Sequence, residues 1–99
     1  MNQSDFETLL AERIDKIRSL LKSKSKEYSN EDDKLKNFKN GCKISGQTPK
    51  GYLWSLAVKH IECIKEIALD NLSEEYADEK IGDAINYLIL LEATIKEES

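Results

Sequence analysis

Apolar residues recur along this chain at helical spacing three times over, and that rhythm constrains its fold more than any other feature. Phe6, Leu10, Ile14, Ile17 and Leu21 follow one another at steps of four, four, three and four, a single stripe on a 3.6-residue period. Leu53, Ala57, Ile61, Ile64 and Ala68 repeat the same steps, with Trp54 and Val58 widening the stripe. Ala77, Ile81, Ala84, Ile85, Leu88, Leu91 and Ile95 define a third. No segment alternates apolar and polar residues long enough to read as a strand. The pattern predicts an all-α, compact helical bundle with three long helices at about 5–27, 49–70 and 74–96.

Start and stop signals punctuate the stripes. Ser4 followed by Glu7 reads as a capping box, in which hydroxyl and carboxylate satisfy orphan N–H groups at a helix start. Ser29, Asn30, Asp32 and Asp33 cluster where the first period fails, so that helix should end near Tyr28. Leu35, Phe38 and Cys42 support one short helix at about 33–41, ending at Gly41. Thr48 before Pro49 is an N-cap followed by the residue suited to the first helical position. Asn71 closes that helix, and Ser73 with Glu74 and Glu75 opens the last. The short links make neighbouring helices antiparallel.

At 99 residues, 39% hydrophobic and 34% charged, the chain reads as one helical domain spanning 1–99. A domain this small buries only roughly two-thirds of its unfolded surface, so a homo-oligomer is expected to supply further core. The net charge of −4 argues against a dedicated nucleic-acid binder, which needs a basic surface. The charge is unevenly placed: residues 22–43 carry seven Lys against four acids, while residues 62–99 carry eleven acids against three Lys. Such polarity suits self-association, or a small anion held at the basic part. Polar residues follow Met1, and the longest apolar run, 87–91, falls far short of the ~18 residues a bilayer span requires, so no membrane segment is expected. Cys42 and Cys63 lack CxxC spacing and the chain has one His, which supports neither a zinc site nor a redox pair. Reduced thiols in a cytosol follow from that.

Chemistry gathers on the last two helices. Glu79, Asp83 and Asn86, at steps of four and three, share a helix face close to the apolar stripe, where a carboxylate is costly unless paired or liganded. Lys59, His60, Glu62 and Glu66 offer matching groups on the preceding helix. Glu62, Glu66, Glu79 and Asp83 could form an oxygen set for magnesium, the alternative to a protein without a cofactor. No nucleophile motif accompanies His60, and no glycine-rich phosphate loop is present. Aromatic rings near Lys24, Lys26, Lys34 and Lys59 are what a nucleotide needs, stacking for the base and cations for the phosphate.

Four segments carry a family resemblance: Lys24-Ser-Lys26-Glu27-Tyr28; Asp33-Lys-Leu35-Lys-Asn37-Phe38; Leu53-Trp54 to Lys59-His60; and Asp78-Glu79-Lys80-Ile-Gly82-Asp83 to Asn86-Tyr87 and Glu92-Ala93. Over about residues 20–93 the chain resembles a family of small phage and prophage helical proteins. That family is similar to the nucleotide modification associated domains of phages and, in its Gly82-Asp83 helix, to the MazG-type all-α pyrophosphohydrolases. The latter resemblance implies magnesium held by an ExxE helix and an ExxD helix. Here Lys80 stands three before Asp83, and Glu62 and Glu66 are four apart.

The phage resemblance implies action by binding, in counter-defence within a bacterial host's cytosol. The expected function is therefore non-catalytic binding of a nucleotide-like anion, possible targets including a nucleotide immune signal. Lys24, Lys26, Lys59 and His60 would hold the phosphate, and Tyr28, Phe38, Trp54 or Tyr87 would stack the base; Asn37 lies in the same matching segments, and Asp83 or Asn86 would read polar edges. Magnesium-dependent nucleotide hydrolysis and inhibition of a host protein are the alternatives.

Overall fold

Among the residues it describes, the computed structural model holds four helices in chain order: α1 (Gln3–Tyr28), α2 (Lys36–Ser45), α3 (Pro49–Asp70) and α4 (Glu74–Glu98). It describes the backbone of residues 1–28, 35–70 and 73–99, and side chains there except those of residues 23–28, 37 and 70. The expected links through Ser29–Asp33 and Asn71 lie outside the described residues. The all-α architecture stands, with no strand among the described residues. No helix there is long and apolar enough to cross a membrane.

Two caps are those the sequence announces. The Gly51 N–H donates to Thr48 Oγ1 at 3.1 Å, and the Tyr76 N–H to Ser73 Oγ at 3.2 Å. The first helix is capped otherwise. The Asp5 N–H donates to Asn2 Oδ1 at 2.8 Å, while Glu7 accepts from the Gln3 amide instead of closing a box with Ser4. Asn2 is as good a cap as serine, so the helix starts two residues early.

The short helix also differs from its expected 33–41. It runs through Gly41 to Ser45, because a glycine inside a helix need not end it. The stop is Gly46, whose φ of 71° puts it in the left-handed region, and its N–H meets the carbonyls of Cys42 and Lys43. Gly41 serves close packing: a Cβ there would fall 2.8 Å from the Tyr52 ring.

α3 and α4 form the central pair, antiparallel, with Lys50 bonded to Glu98 at one end and His60 beside Asp83 farther along. α2 packs on α3, and Lys39 of α2 pairs with Glu97 of α4. α1 lies along α4 and touches α2. Arg13 meets Asp78, and Leu20 reaches the level of Asn86, so α1 runs parallel to α4. α1 and α2 thus cover one side of the α3–α4 pair.

The core is small. Among the described residues Leu35, Cys42, Leu53, Ala57 and Ala84 are its buried apolar members. The first stripe is only partly used: Phe6, Leu10 and Ile14 are each 40% or more exposed. Cys42 is buried and Cys63 half-buried, both free thiols.

Candidate functional site

A cleft of about 150 Å³ opens between α1 and α4. Arg13, Lys16, Ile17 and Leu20 form one wall, and Asp78, Glu79, Gly82, Asp83 and Asn86 the other. The 3.6-residue period places them: Glu79, Asp83 and Asn86 share one face of α4, as their spacing predicts, and Gly82 lies beside them. Gly82 leaves room for the Arg13 guanidinium, since a Cβ there would sit 2.6 Å from Arg13 Nη1.

The mouth is tied by Asp78. Arg13 donates to its Oδ1 at 2.5 Å and to its backbone carbonyl at 3.2 Å, and Lys16 donates to Oδ2 at 2.7 Å. The Lys16 hydrogen bond, outweighing partial desolvation and helped by the nearby Arg13 charge, holds the Asp78 carboxyl below the usual carboxylate range. A depressed carboxylate stabilises the fold only while ionised, so its contribution is complete above about pH 4 and disappears as pH falls through the lowered folded pKa. Asp78→Asn should therefore melt below the wild type at pH 7, and the two melting curves should converge in acid below pH 4. A gap independent of pH would show that the ion pairs contribute nothing.

Behind the mouth the polar groups are differently satisfied. Asn86 is 6% exposed, and its Oδ1 is buried with no hydrogen-bond donor among the described residues. His60 Nδ1 is likewise buried and unbonded, lying 3.7 Å from Asp83 Oδ2, beyond hydrogen-bond reach. The His60 ring stacks on Tyr87, with centroids 5.2 Å apart and planes 16° from parallel. Tyr87 therefore holds the imidazole against Asp83, which itself lines the cleft.

His60, Asp83, Asn86 and Tyr87 are thus brought together. Lys59 is exposed beside them, Phe38 is half-buried on α2, and Trp54 is 52% exposed on α3. The side chains of Lys24, Lys26, Tyr28 and Asn37 lie outside the described residues. Of the alternative carboxylate set, Glu79 and Asp83 line the cleft, Asp83 also lies beside His60, and Glu62 is exposed. Glu66 and Glu79 both act on Tyr76, whose hydroxyl is raised above its ordinary range mainly by a hydrogen bond with Cys63. Among the described residues no three His, Cys, Asp or Glu side chains are arranged to hold a metal ion.

Arg13, Lys16 and Asp78 escape a sequence reading that treats α1 as a plain amphipathic helix. Arg13 falls one residue before Ile14 of the stripe, and a cation in that position is the only available signal. Comparison of the chain with protein-family models, with curated proteins and with solved structures found no match.

Proposed function

We propose that this chain is a non-catalytic binding protein that sequesters a nucleotide-like anionic small molecule, in the counter-defence role its phage resemblance implies. The observation that carries this reading is the buried Oδ1 of Asn86, which has no partner among the described residues and belongs to a side chain that lines the cleft. Leaving such an acceptor unbonded costs about 1–3 kcal/mol, which a ligand N–H would recover. Asp83 and Glu79 add carboxylate oxygens in the same cleft, so the lining suits a group rich in donors, such as the amino and imino edge of a base.

Size supports the insertion of an edge only. Pockets that enclose a whole ligand run to roughly 300–1,000 Å³, and this one is about 150 Å³. The sugar and phosphate would stay outside, near the mouth, where Lys16 remains 57% exposed beside Arg13. Lys16 and Arg13 then take the phosphate-side role that the sequence reading assigns to Lys24, Lys26, Lys59 and His60. His60, stacked on Tyr87, lies beside Asp83.

Native mass spectrometry of the protein, with and without a mixture of linear and cyclic nucleotides plus magnesium, tests the reading. A nucleotide retained at unchanged mass is the expected result. Conversion to a lighter product would replace sequestration by hydrolysis, and indifference to every nucleotide would remove the proposed ligand class.

A further inference from the structure

The side of the α3–α4 pair turned away from α1 and α2 carries a second feature. On α4 the residues facing α1 are Asp78, Glu79, Gly82 and Asn86; Ile81, Leu88 and Ile95, spaced by seven, fall on the opposite flank. On α3 the contacts with the α2 region come from Tyr52 and Ser55, and Trp54 and Ile61, again spaced by seven, fall on the flank away from them. Exposures are 52% for Trp54, 39% for Ile61, 39% for Ile81, 42% for Leu88 and 46% for Ile95. Because α3 and α4 are antiparallel, these five interleave along one face, in the order Ile95, Trp54, Leu88, Ile61, Ile81.

We infer that this face is covered by a second copy of the chain, so that two α3–α4 pairs form a four-helix core. Three observations favour a copy over another partner. The seven-residue spacing on both helices is the repeat by which helices pack side by side at shallow angles, and an identical face brings the same repeat. The charges bordering the face are mixed in sign, with Glu62 and Lys65 on α3 and Glu74, Glu92 and Lys96 on α4, so two copies meet with little like-charge excess although each chain is −4. A strongly charged partner would find no complement there.

The third is area. Two helices of about 22 residues, each about 10 Å wide and rising about 1.5 Å per residue, offer on the order of 650 Å² of flat face, near the roughly 800 Å² per partner of a stable complex. An apolar centre inside a polar border is the usual plan of such interfaces. The small core has the same implication: a chain with so few buried apolar residues gains the missing part from its copy.

Sedimentation equilibrium and fluorescence test this together. The wild type is expected at twice the 11.3 kDa chain mass at micromolar concentration. Trp54 is the chain's one tryptophan, so its emission should move to longer wavelength as the protein is diluted to monomer. Leu88→Glu should raise the dimer dissociation constant at least about 30-fold, as loss of a central contact does, while Phe6→Glu, on the exposed half of α1, should leave it unchanged. A monomeric wild type, or a dimer lost with Phe6→Glu and kept with Leu88→Glu, would overturn the inference. The dilution experiment needs no variant and decides the matter even if Leu88→Glu fails to fold.

Discussion

Leu53→Ala should lower the unfolding free energy by about 3–5 kcal/mol, the range for deleting a fully buried leucine in a site that cannot collapse. Leu53 is 0% exposed, the largest side chain so enclosed among the described residues, and it stands on α3 one turn before the equally buried Ala57. α3 packs on both α2 and α4, and helical backbone on those sides limits relaxation into the cavity. A domain of about 100 residues has only about 5–15 kcal/mol in total, so the variant should be partly unfolded near body temperature. Urea denaturation followed by circular dichroism, at fixed protein concentration, measures the loss. A change below about 1 kcal/mol would mean that α3 does not organise the core.

Asn86→Leu should behave in the opposite way, raising stability by about 1–2 kcal/mol while abolishing ligand binding. Replacing an amide whose Oδ1 is buried and unbonded by an apolar group of similar shape removes that oxygen's desolvation cost without opening a cavity. The substitution also takes away the acceptor that we propose meets the ligand, so affinity should fall at least about 100-fold. Thermal melting and calorimetric titration with a nucleotide found by mass spectrometry read the two effects separately. A less stable variant would show that Asn86 has a structural task. A more stable one that still binds would move recognition away from the cleft floor.

These expectations differ in how much of them was legible beforehand. The helices were readable because apolar residues must repeat near 3.6 to cover one side of a helix, and caps need particular side chains at particular places. Ser73 and Thr48 therefore announced α4 and α3, whereas the start of α1 went to Asn2 because two adequate caps lay within reach of one another. Gly41 misled for a related reason: glycine weakens a helix and also lets another chain segment come close, and only the position of Tyr52 shows which use applies.

The cleft was half readable. Spacing alone put Glu79, Asp83 and Asn86 on one face of α4 and offered Lys59, His60, Glu62 and Glu66 as matching groups on α3, of which the structure sets His60 beside Asp83. Nothing local could say that α1 lies parallel to α4 and brings Arg13 and Lys16 to Asp78, a contact between residues more than sixty positions apart. The sequence by itself determined the number of long helices, their approximate lengths and their apolar stripes, since these follow from the period of side chains along each segment. Only the tertiary structure decided which parts of those stripes are covered, which cations meet the acids of α4, and that the Asn86 oxygen is enclosed without a donor. Burial and pairing depend on how helices are placed against one another, and that placement is set by the packing of all of them together.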